Sequence, residues 1–167
     1  MSRDTATIHC PGCGAPVSDA DGPTHAYMPA AAGCWALYGK VLAREYERRA
    51  WAAEHRLTVD AYAVQHAGSD DRRNRQSVAI HLMSLCLVLE RGGDNERARH
   101  LLSKVARGAR DWPRLIPPGS FALTVVDVNA AGSPAEHLEL VRCWAEDVWR
   151  SWEPEHDRVR GWLSAAG

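Results

Sequence analysis

The sequence carries almost no excess of charge. Lys and Arg number 20 against 21 Asp and Glu, a formal charge of -1, so no long-range field selects nucleic acid or an anionic membrane as the main partner. The densest basic run, Asp71-Arg72-Arg73-Asn74-Arg75, is short, adjoins Asp70 and falls where a turn is expected. It reads as a solvated loop. No apolar run is long enough to span a bilayer, and residues 1–9 lack the apolar stretch of a signal peptide. With no export signal, an odd set of five cysteines is expected as reduced thiols in the cytoplasm. A chain of 167 residues is expected to bury its core as one domain without disulfides.

Against these absences stands Cys10-Pro11-Gly12-Cys13-Gly14. Pro and Gly suit a tight turn whose backbone N–H groups point at two sulfurs, favouring thiolates and a tetrahedral metal. A usual zinc ribbon supplies a second Cys-x2-Cys, and this chain has none. Cys34 is the expected third ligand. For the fourth place His25, in a Pro-constrained loop between the turn and Cys34, is preferred over His9 and Asp21. Four protein ligands would close the site and make the zinc structural; an open position would make it a candidate for catalysis.

Composition divides the chain. Residues 1–33 hold Pro11, Pro16, Pro23 and Pro29 and show no helical period, so this segment depends on metal for its constraint. Residues 34–167 read as helices, and the fold class is all-α: a bundle of about five or six helices behind a zinc knuckle. Trp35 to about Arg48 and Trp51 to His66 carry amphipathic patterns. No Gly or Pro separates them, so one long helix is an alternative. Residues 67–74 are turn chemistry. The most apolar pattern, about Arg75 to Arg91, is expected to be the central element, ended by Gly92-Gly93, with Asp94 capping a fourth helix to Arg107. Trp112-Pro113 to Gly119 makes a long crossing loop of the kind that often lines sites. Thr124 to Ala130 is a short helix or an extended segment. Ser133-Pro134-Ala135-Glu136 is a helix start, and a last short helix follows Pro154. Cys86 and Cys143 lie in apolar patterns and read as buried core thiols.

A second polar set lies on the helices. His55, Asp60, Tyr62, Gln65 and His66 occupy one pattern, and Gln76, Ser77 and His81 the next. At about 100° per residue, His55, Tyr62 and His66 fall within roughly 40° and share a face, with Asp60 and Gln65 pointing elsewhere. In an antiparallel hairpin His66 is level with Gln76 and Tyr62 with His81. Tyr62, His66 and His81 are then candidate acid–base residues lining a pocket, with His55, Asp60, Gln76, His137, His156 and Trp149 as candidate binding residues. A second metal near His66 and His81 is only marginal, because the two lie about 7 Å apart along the axis. The competing reading is a set of buried histidines satisfying one another's hydrogen bonds. Trp144, Val148 and Trp152 at helical spacing, with Trp149 and Trp162, read as aromatic core.

The turn, Gly22-Pro23-Thr24-His25, Gly33-Cys34-Trp35-Ala36, the Leu57 to His66 segment and Gln76-Ser77-Val78-Ala79-Ile80-His81-Leu82 together resemble a group of small bacterial proteins of unknown function. The resemblance extends to Trp144, Trp149 and His156 and so covers nearly the whole chain. A Pro usually follows the His66 position in that group, where this chain has Ala67. The resemblance implies a family and no activity. Two function classes remain: a small-molecule binding protein or enzyme with a His/Tyr-lined pocket, or a zinc-stabilised adaptor that binds another protein. A cavity reaching His66 and His81 would favour the first.

Overall fold

The computed structural model describes residues 6–93, 95–108 and 110–166. Strand β1 (Thr7–His9) pairs antiparallel with β2 (Pro16–Ser18), with Ile8 opposite Val17. The cysteine turn joins them: Cys10 N donates to Ala15 O and Gly14 N to Cys10 O, each at 2.9 Å. Gly14 has φ +76, a conformation that costs any residue with a Cβ. Helices follow as α1 (Ala32–Tyr46), α2 (Ala52–Gln65), α3 (Arg72–Leu89), α4 (Asn95–Arg107), α5 (Val125–Asn129), α6 (Pro134–Ser151) and α7 (His156–Ala166). None is long and apolar enough to cross a membrane.

The first two helices are separate. Arg48 adopts extended angles and a short 3-10 turn, Arg49–Trp51, precedes α2. Trp51 drives the break: it is buried and stacks on His137 of α6, with ring centroids 5.0 Å apart. This tertiary contact leaves no Gly or Pro signature. Helix α3 begins at Arg72, earlier than the turn chemistry suggests, because Asp71 caps it by accepting from Asn74 N at 2.9 Å. Its first-turn arginines face outward, so the polar run belongs to the helix. Gly92, with φ +58, and a bond from Gly93 N to Leu87 O end α3 in the manner of a Schellman motif. The expected cap Asp94 lies outside the described residues. Segment 124–130 is helical, because Thr124 and Asp127 form a reciprocal capping box. Ser133 and Pro134 start α6 as the sequence predicts.

Helix α3 is central as expected, packing on α2, α4, α6 and α7, and α2 shares that place. Helix α2 packs on α1, α3, α4 and α6, and it buries Thr58, Asp60, Tyr62 and Gln65 along with Leu57 and Val64. Its polar residues hide its central place from any hydropathy pattern. Trp112, Trp144, Trp152 and Trp162 join the apolar core. Cys86 is buried as expected, whereas Cys143 is exposed, since it falls on the outer face of α6.

Helix α7 is tied to the end of α3 through Glu90. Arg160 Nη2 and Nε donate to its two oxygens at 2.7 and 2.9 Å, and Trp149 Nε1 donates to Oε1 at 3.0 Å. The Arg160 bonds, helped by Trp149, lower its pKa to about 2. A depressed carboxyl contributes stability above its unfolded pKa and loses it as pH falls through the folded one. Glu90→Gln should therefore unfold at lower denaturant than the parent at pH 7, with the deficit shrinking as pH falls from 4.5 towards 2. Urea titrations across that range measure it; a deficit independent of pH would contradict the ion pair.

Candidate metal centre

Four buried side chains from three parts of the fold meet at one point. The hairpin turn supplies Cys10 and Cys13, the first turn of α1 supplies Cys34, and the residue that ends α2 supplies His66. Their ligand atoms all lie within 4.8 Å of one another. Cys10 Sγ is 3.4 Å from His66 Nε2, Cys34 Sγ is 3.5 Å from the same atom, and Cys13 Sγ is 3.8 Å from Cys34 Sγ. A tetrahedral zinc with Zn–S of about 2.3 Å and Zn–N of about 2.1 Å sets neighbouring ligand atoms roughly 3.5–3.8 Å apart. These separations fit that geometry.

The surroundings prepare the histidine for a metal. His66 Nδ1 donates to Tyr62 O at 2.7 Å, which leaves Nε2 as the acceptor facing the sulfurs, the usual outer arrangement for a ligating imidazole. Tyr62 is sandwiched between Tyr38, at 3.8 Å, and His66, at 4.0 Å, and its hydroxyl lies 3.5 Å from Cys34 Sγ. Ala31 N donates to Cys10 Sγ at 3.5 Å.

Without a cation the cluster divides its charge unevenly. Contacts from Cys13 and Cys34 hold the Cys10 thiol far below its ordinary pKa, while contacts with Cys10 and Cys13, with burial, push Cys34 far above. Burial opposes protonation of His66, but its contacts with Cys10 and Cys13 outweigh burial and push it up to about 9. A Cys10 thiolate beside a protonated His66 is the pairing these contacts favour without a cation. Three thiolates together require a bound cation.

The other residues singled out in the sequence lie elsewhere. His25, the expected fourth ligand, is outside the cluster. Its Nδ1 accepts from Tyr27 N and Met28 N at 3.4 and 3.3 Å, and its ring packs edge-on against Tyr27 and Trp35. The nitrogen is engaged in holding the loop. His9 is exposed, with Nδ1 donating to Gly14 O, and Asp21 is exposed too. His66 and Tyr62 belong to the sulfur cluster, and His81 does not join them. His81 Nδ1 bonds Asp60 Oδ1 at 2.8 Å, so Asp60 faces His81 where Tyr62 was expected. Gln76 donates to Ala106 O rather than meeting His66. His55 Nδ1 meets Glu45 Oε2 at 2.9 Å, and His137 Nε2 donates to Glu45 Oε1 at 3.0 Å. His156 stacks on Trp149 at 3.8 Å and donates from Nε2 to Trp149 O, a packing role. Of the crossing loop, Pro118 and Gly119 line a cleft of about 460 Å³ opposite the cysteine turn, with Ser120, Phe121 and Asp127 beyond them.

Glu45 is the group that the sequence reading passed over. It follows Tyr38 and Val41 on the buried stripe of α1, and a carboxylate at an apolar-stripe position was the available signal.

The fold and the cluster define a small helical protein with a closed Cys3His candidate metal centre at its N-terminal end. A model of a family of unknown function, DUF5946, matches residues 8–153, and the chain belongs to that family. The matched span contains all four cluster residues. No curated protein and no solved structure matches the chain.

The turn is pressed against the His66 ring. A Cβ at Gly12 would sit inside contact distance of His66 Cδ2 and 2.5 Å from Pro29 O, whereas Gly39 in α1 has open space. Gly12→Ala should lower stability by about 1–3 kcal/mol, the cost of overpacking a tight contact. Gly39→Ala should raise it by about 0.5–1 kcal/mol through helix propensity. Thermal melts of the two variants beside the parent test the contrast, and equal effects would show that the turn does not rest on His66.

Proposed function

We propose that the protein is a zinc protein in which one ion, held by Cys10, Cys13, Cys34 and His66, clamps the N-terminal hairpin onto the start of α1 and the end of α2. The observation that carries this reading is the convergence of the four ligand atoms within 4.8 Å, with three of their separations close to the edges of a zinc tetrahedron. Four protein ligands leave no open coordination position, so the ion serves structure rather than chemistry. Tyr62 and His66, candidates for acid–base work in the sequence, then serve the centre as its outer support and its fourth ligand. The ion ties residues 1–33 to the bundle, making one domain of the two compositional halves. Reduced thiols suit a cytoplasmic setting.

Metal analysis of untreated protein by mass spectrometry should give one zinc per chain. His66→Ala and Cys10→Ser should each lose it and melt lower, because the binding free energy of a structural zinc contributes directly to folding. His25→Ala should keep the metal. Retention by His66→Ala together with loss in His25→Ala would overturn the ligand set. Cobalt substitution gives a second readout, since sulfur-to-cobalt charge-transfer absorption requires thiolate ligation.

A further inference from the structure

Two histidines outside the metal centre open into one groove. His55 near the start of α2 and His81 on α3 both line a cavity of about 530 Å³ between α2, α3 and α4, within the roughly 300–1,000 Å³ range of small-molecule sites. Their side chains are 23% and 25% exposed, and the carboxylates behind them 0% and 4%. An ionised carboxylate only accepts hydrogen bonds. Each ring therefore carries its proton on Nδ1, toward Glu45 or Asp60, and Nε2 is the atom available to the groove. Neither Nε2 has a hydrogen bond among the described residues.

The acids behind the rings are saturated from within. Glu45 Oε1 accepts from Thr58 Oγ1 at 2.6 Å and from His137 Nε2 at 3.0 Å. Asp60 accepts from the Ser84 hydroxyl, with the Arg56 guanidinium 3.7 Å away. The groove meets a ligand with two imidazoles and the Arg99 guanidinium, over an apolar wall of Val59 and Ile80, while Arg56 Nε is already bonded to Ser84 Oγ at 2.8 Å. Glu96 and Asp60 are the acids that line it, the Asp60 oxygens being taken up by His81, Ser84 and Arg56. Packing alone accounts for one buried carboxylate–histidine pair more readily than for two that open into the same space, because each carries a desolvation cost.

We propose that this groove binds a small organic anion, a phosphate monoester or carboxylate with an apolar body, that places its polar groups against Nε2 of His55 and His81 and its charge against Arg99. A neutral ring with its proton on Nδ1 offers Nε2 only as an acceptor, so each ring takes up a second proton with the anion and Nε2–H donates to it, the carboxylate behind balancing the charge. The apolar wall accepts the body of the ligand. The site uses no metal ligand.

The test uses the full-length, zinc-loaded chain with phenyl phosphate and phenylacetate as probes and cyclohexylammonium as the cationic control. Calorimetry should show saturable binding of at least one anion and none of the cation, and the anion that binds identifies which headgroup the site takes. Ring resonances of His55 and His81 should shift on titration while that of the exposed His100 stays in place. Arg99→Ala, at an exposed position, and His81→Gln should each weaken binding by about tenfold or more, as expected for loss of a charge-assisted contact. Should His81→Gln fail to fold, Arg99→Ala still decides. Zinc content should be unchanged in both variants, so loss of the anion site is distinguishable from loss of the metal. Absence of saturable binding of either anion, preference for the cation, or full binding by Arg99→Ala would overturn the proposal.

Discussion

Three sulfurs and an imidazole confined to one buried point set the constraint on which the N-terminal half depends. Left to themselves these groups favour a Cys10 thiolate beside a protonated His66, and Cys34 is held as a thiol. A divalent cation reverses that balance, replacing repulsion among thiolates by bonds to a common centre. The surrounding backbone is arranged accordingly. Gly14 takes a positive φ so that the turn can close, and Gly12 omits a side chain where the His66 ring lies. The hairpin has little else to hold it: Ala15 and Val17 are its buried apolar residues beyond the cysteines.

The helical part places its polar residues differently. Glu45 and Asp60 are nearly solvent-free carboxylates, and each is surrounded by donors rather than by one opposite charge. Such networks add little net stability compared with an apolar replacement, but breaking them is expensive. They specify register, because α1, α2 and α6 must meet at Glu45, and α2 and α3 at Asp60. Arg44 extends the Glu45 network, donating to His137 Nδ1 at 3.2 Å and to Val128 O and Asn129 O, which links α1 to the end of α5.

What the sequence reveals follows from the range of the interactions involved. The cysteine turn, the Ser133 helix start and the Gly92-Gly93 stop are local, and all three read correctly. The class of the fold follows from helical period. His66 is less accessible to such reasoning because its partners lie far back in the chain, outside the spacings of a compact zinc motif; only its position one turn after Tyr62, at a helix end, hinted at a special role. The break before Trp51 depends on a ring from α6, and the place of α2 beside α3 at the centre depends on buried polar residues, so neither leaves a trace in hydropathy. By helical angle His55, Tyr62 and His66 share a face of α2. Depth separates them: His55 and His66 lie about three turns, or roughly 16 Å, apart along the axis, so a shared face does not make a shared site.

That separation has a counterpart on the neighbouring helix. Cys34 and Glu45 are spaced along α1 as His66 and His55 are along α2, and the two helices run antiparallel with matching rungs. Cys34 meets His66 at the knuckle end, Tyr38 stacks on Tyr62 in the middle, and Glu45 meets Thr58 and His55 at the far end. About three turns return a helix nearly to the same face, so a single register satisfies all three rungs at once. A slip by one turn would separate the sulfur from the imidazole and leave the buried carboxylate without His55 and Thr58. The metal end and the groove end are therefore two consequences of one alignment. An ion that fixes the Cys34–His66 rung also holds Glu45 under His55, the ring that faces the groove.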